Sequence, residues 1–146
     1  MIIKSPVFGE LLLNEELSFF RGKYKNEELS FRVCFIGKEP DKLKQVITYA
    51  EDQIKKDFFA PMLLKIEDEM IRLKNDYWLE KNKETGKMES PITKQQFRKQ
   101  ISITEIVFQE DYSSMIYCDV NDIFWGHAIC IYIDKNGNYE EVGLEG

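Results

Sequence analysis

Short apolar stretches separated by polar turns occupy the first 36 residues. Val7 to Leu13, Ser18 to Tyr24 and Leu29 to Ile36 predict three strands, joined by Asn14-Glu15-Glu16 and by Lys25-Asn26-Glu27-Glu28. Alternation is clearest in the third, where Leu29, Phe31, Val33 and Phe35 share one side and Ser30, Arg32 and Cys34 the other. Successive side chains of a strand point to opposite faces, so one face is expected on a core and the other partly in water.

From Pro40 the period changes. Leu43, Ile47, Ala50 and Ile54 follow at helical spacing behind a proline suited to a first helical turn, and Val46 widens the stripe. A second stripe of Phe59, Leu63, Ile66, Met70, Leu73 and Tyr77 runs out of phase with the first, with Pro61 just inside it. Proline in a helix interior costs about 3 kcal/mol, so the pattern predicts two helices with a break at residues 56–61. The second stripe is too short for a dimer zipper and predicts a helix packed on its own sheet. Lys81 to Pro91 reads as a mobile surface loop. Thr93 with Gln96 forms a capping box for a short helix through Gln100.

The remainder returns to strands. Ile101 and Ile103 are in phase, but Ile106 and Phe108 are shifted by one, which predicts a bulge near Thr104 and Glu105. Met115 to Val120, Phe124 to Ile133 and Asn138 to Leu144 complete the run, with Asp134-Lys135-Asn136-Gly137 as a hairpin turn. The expectation is a single α+β domain over residues 1–146. It comprises an N-terminal three-stranded antiparallel meander, two to three central helices and a C-terminal antiparallel meander of about four strands.

Composition narrows the function classes. A chain of 146 residues, 43% hydrophobic, buries enough surface to need no disulfide or metal staple. The 20 basic residues against 26 acidic ones give a net charge of −6 without a basic run, which argues against nucleic acid and favours a basic protein as partner. Cys34, Cys118 and Cys130 have no C-x-x-C spacing and read as small buried hydrophobes in a reducing compartment. Polar residues follow the first isoleucines and no long apolar run occurs, so no signal peptide or membrane span is expected and the location reads as cytoplasmic.

Candidate chemistry centres on His127, the only histidine. In a regular strand it shares a face with Trp125, Ile129, Ile131 and Ile133, and with both faces apolar the strand reads as central and covered on both sides. His127 is then either a core-edge imidazole bonded to a carbonyl or to an acid such as Asp122, or, with Trp125 and Asp122, part of a binding pocket. Asp119, Asn121 and Asp122 resemble the start of a calcium loop, but Phe124 and Cys130 occupy positions six and twelve, where such a loop requires glycine and a bidentate acid. No G-x-S-x-G, H-E-x-x-H or glycine-rich phosphate loop occurs. Cys130 points away from His127, and Cys118 has no supporting motif. No catalytic residue, metal or cofactor is expected.

Phe124-Trp125-Gly126-His127-Ala128-Ile129-Cys130-Ile131, followed by Asp134 and Gly137, resembles the closing hairpin of an uncharacterised bacterial domain-of-unknown-function family. Its members end in F-x-G-H-x-[IV]-x-[VI] and a D-x-x-G turn. Phe8-Gly9, Trp78 and Phe97 fit the same outline over most of the chain, and Ala128 departs from the serine of that pattern. The resemblance transfers no activity. By analogy with other small acidic α+β domains of bacteria, it implies a non-enzymatic protein-binding domain, immunity-like in role. The chain is expected to be a monomer or weak homodimer. The alternative is a small-ligand-binding protein or a hydrolase-like enzyme with a pocket near His127.

Overall fold

The computed structural model describes residues 2–14 and 19–146, so the Glu15-Glu16 part of the first expected turn, and Ser18, lie outside the described residues. Strands β1 (Ile2–Ser5), β2 (Gly9–Asn14), β3 (Phe19–Lys25) and β4 (Ser30–Ile36) precede helices α1 (Pro40–Lys55), α2 (Phe59–Lys65), α3 (Glu67–Tyr77) and α4 (Lys94–Gln100). Strands β5 (Ser102–Gln109), β6 (Ser114–Asp119), β7 (Ala128–Ile133) and β8 (Tyr139–Glu145) follow. All eight strands form one sheet in sequence order. This corrects the expectation of two separate meanders of three and about four strands. The first has four strands, because Ile2–Ser5 pairs antiparallel with β2, and the two halves join through a parallel β4–β5 pair.

The helices cover one face. Phe20, Val33, Phe35, Ile106, Phe108, Ile116, Ile129 and Ile131 point from the sheet into a single core that also receives Leu43, Ile47, Ala50, Phe59, Met62, Ile66, Met70 and Phe97. Alternation in β4 follows the expected faces, with Phe31, Val33 and Phe35 inward. On the other face Phe19, Cys34 and Val107 form a separate patch to which no helix contributes, flanked by Met115 and Tyr117. The Thr104 bulge is present, as a register shift between Ile103 and Glu105, and the Thr93–Gln96 capping box forms both its bonds.

Chain direction changes where α1 ends. Asp57 takes a φ of 55°, and Pro61 lies in the first turn of α2, where its missing N–H has no helical partner to lose. The helical stripe is rotated from the one expected. Met62, Ile66, Met70 and Lys74 are buried at four-residue steps, while Tyr77 is 78% exposed. At the other end, the Glu110 carboxylate accepts from the Lys38 backbone N–H at 2.6 Å, just before α1 begins. Gly37 is required there, since a Cβ would collide with that carboxylate and with Leu43. Lys81 to Pro91 is exposed throughout, as expected of a surface loop, but Lys81–Met88 closes on itself through a bridge and through Asn82 Oδ1, which accepts from the N–H groups of Glu84 and Thr85.

Candidate functional site

The segment after β6 determines the site. Val120, Ile123 and Phe124 are buried, so the chain dips into the core and must turn sharply to re-enter the sheet. It does so through overlapping turns: Ile123 N–H donates to Val120 O, Trp125 N–H to Asp122 O and His127 N–H to Phe124 O, at 3.0–3.2 Å. Asn121, Trp125 and Gly126 adopt φ values of 53°, 54° and 90°. Strand β7 therefore begins at Ala128, not at Phe124, and the strand face expected to carry Trp125 and His127 together does not exist. No helix covers the other face of β7, where Ala128, Cys130 and Tyr132 point, although Cys130 is fully buried there between Tyr117 and Tyr132.

Trp125 and His127 still come together, through a third residue. The ring of Trp78, at the end of α3, meets Trp125 at 4.8 Å, His127 at 5.5 Å and Phe124 at 5.8 Å between centroids, all edge to face. Trp125 remains 52% exposed on this base and His127 is half-buried. Asp122 is exposed in the same turn, and no hydrogen bond joins its carboxylate to His127 among the described residues. Exposed Asp76 and Tyr77 adjoin Trp78 in the chain. A shallow cleft of about 310 Å³ next to them is lined by Glu69, Arg72, Leu73, Asp76, Tyr77 and Val142.

Trp78 is held from below by a group that sequence periodicity does not reveal. Lys74, only 2% exposed, donates to the Trp78 carbonyl at 2.8 Å and to the Glu89 carboxylate. Glu89 also accepts from the Glu80 N–H at 2.8 Å, so one carboxylate ties the loop to α3. Partial burial pushes the Glu89 carboxyl up, but the Lys74 ammonium and the Glu80 N–H outweigh it and hold the group below its ordinary 4.5. A carboxyl depressed in the folded state stabilises above its unfolded pKa and loses that contribution as pH falls through the folded value. Thermal stability is therefore expected to hold from pH 7 to about pH 5 and to fall below about 4.5. A Glu89→Gln variant followed by calorimetry should show a shallower acid limb; an unchanged limb would assign the acid sensitivity to other carboxylates.

The remaining candidates supply no nucleophile. Burial pushes the Cys118 thiol up to about 12 and that of Cys130 upward, so neither is a thiolate near neutrality. All three cysteines are free and buried. Asp119 Oδ1 accepts from the Asn121 N–H at 3.0 Å, a local turn bond. Among the described residues no three His, Cys, Asp or Glu side chains converge in a way that could hold a metal ion, and no helix is long and apolar enough to cross a membrane.

A family model described as "Uncharacterized protein conserved in bacteria (DUF2262)" matches residues 5–144. No curated protein and no solved structure matches the chain.

Proposed function

The chain belongs to this uncharacterised bacterial family, and on that footing we propose that it is a non-enzymatic protein-binding domain whose contact surface is the Trp78–Trp125–His127 platform. The observation that carries this reading is the conformation of Trp125. A bulky residue at positive φ is costly, of the order of 1–3 kcal/mol, and folding alone would favour glycine or asparagine there. Instead the position holds a half-exposed tryptophan, the side chain most enriched among binding hot spots. Glu69 and Asp76 outnumber Arg72 in the neighbouring cleft, and together with exposed Asp122 they suit the cationic head of a lysine or arginine, in keeping with a basic partner. An immunity-like role, in which the domain seats on a basic enzyme and blocks it, is the specific form of this reading.

Trp125→Gly separates binding from folding. The substitution gives up an edge-to-face contact worth about 0.5–1.5 kcal/mol but relieves a strain of similar size, so stability should change by less than about 1 kcal/mol. Trp125→Ala keeps the strain while losing the contact, and should be the less stable of the two. Co-expression with the basic products of neighbouring genes should recover a partner whose capture weakens with salt and falls at least about thirtyfold for Trp125→Gly. A partner held equally by Trp125→Gly, or none recovered across those neighbours, rules the proposal out.

A further inference from the structure

The helix-free face of the sheet carries a charge division that the platform does not use. Register places Lys4, Arg21, Lys23, Lys25 and Arg32 outward on β1–β4, against Glu10. The outward positions of β5–β8 carry Glu105, Asp119, Glu141 and Glu145 and no basic residue. Between the two halves lies an apolar strip in which Cys34 and Val107 are already buried and Met115 and Tyr117 are partly exposed, and the Arg32–Glu105 ion pair at 3.4 Å crosses the seam. Ile2, Leu12 and Ile36, all outward on the basic half, are 42–57% exposed.

We infer that this face binds a second copy of the chain. A two-fold axis lying in the interface, parallel to the strands and over the β4–β5 seam, sets each copy's basic half on the other's acidic half. Under that operation β1 meets β8, β3 meets β6, and the apolar strips meet at the centre. An axis across the strands would set like charge on like, so the pattern also selects the orientation. Self-complementarity of one patch is what a two-fold homodimer requires. Eight strands about 4.8 Å apart and about 20 Å long present roughly 700 Å², near the ~800 Å² per partner of a standard interface. Aligned packing of two sheets face to face is an established architecture. The platform lies on the helix side of the sheet and stays free in such a dimer.

Sedimentation velocity of the full chain tests the inference. Dimer is expected at 100 µM protein and 50 mM salt, with the dissociation constant rising about tenfold or more at 500 mM. Lys4→Glu with Lys23→Glu, and separately Glu141→Lys with Glu145→Lys, should each weaken self-association at least about tenfold. An equimolar mixture of the two variants should re-form a dimer, and unchanged circular dichroism and melting would show both to be folded. A wild-type chain that stays monomeric under the first condition overturns the inference. So does a dimer indifferent to both reversals, or a mixture that fails to associate.

Discussion

Glu89→Ala is expected to destabilise the protein by about 3–5 kcal/mol, more than Lys74→Met, although the two residues form one ion pair. The asymmetry follows from where the surviving charge is left. Lys74 is almost wholly enclosed, so removing Glu89 strands an ammonium with only the Trp78 carbonyl beside it. Removing Lys74 instead leaves a carboxylate whose side chain is 38% exposed, which water can solvate, and a methionine fills the space of the stem. Its cost is the unsatisfied Trp78 carbonyl and the lost tie to the loop, about 1–3 kcal/mol. In melting temperature the first change corresponds to a fall of roughly 10–15 °C. Because Lys74 and Glu89 set the height of Trp78, both variants should also raise the accessibility of the indole to a fluorescence quencher. Equal losses from the two substitutions would show that the pair is better solvated than its burial indicates.

Phe108→Ala is expected to cost about 3–5 kcal/mol, by lost transfer energy and by the cavity left behind. Its ring is fully buried, stacked on Phe35 at 5.5 Å and 15° between planes, with Phe58 of the α1–α2 connection 6.1 Å away. Phe35 and Phe108 are directly opposite across the parallel β4–β5 pair, so this contact joins the two halves of the sheet and seats the helices on the junction. Leu64→Ala is the contrasting change: the side chain is as apolar but 59% exposed, and its loss should stay within about 0.5 kcal/mol. Similar denaturation midpoints for the two variants would mean that the helices do not rest on this seam.

Much of the architecture was legible because its causes are local. Pro61 breaks a helix wherever it stands more than a turn inside one, and the structure breaks the chain at residues 56–58. The Thr93–Gln96 box and the Asp134–Gly137 turn are likewise made by residues three positions apart. Strand β1 was not legible, because two isoleucines followed by Lys4 and Ser5 form a strand only when β2 supplies the pairing. In the candidate site, Trp125, His127 and Asp122 could be named from the sequence, but not their arrangement. Phe124-Trp125-Gly126-His127-Ala128-Ile129 has the alternation of a strand, and the left-handed residues that end it are recognisable only at Gly126. Trp78 stood out as a tryptophan, without any sign that α3 would set it against a turn almost fifty residues later.

The sequence by itself determined the α+β class, the faces of β4, the start of α1 and the break that follows it, and the family resemblance, because periodicity, proline and capping act within a few residues. The second break, at Ile66 between α2 and α3, was not legible. Tertiary structure alone decided that the two meanders are one sheet, that α3 turns Lys74 inward and Tyr77 outward, and that Trp125 rests on Trp78. Each of these depends on which distant segments come to lie side by side. A lysine on a helix face is solvated in most settings, and here the returning loop brings Glu89 against it. The charge division of the open face has the same origin. Its basic residues fall between Lys4 and Arg32 and its acidic ones between Glu105 and Glu145, but strand pairing and register decide that they share one open face.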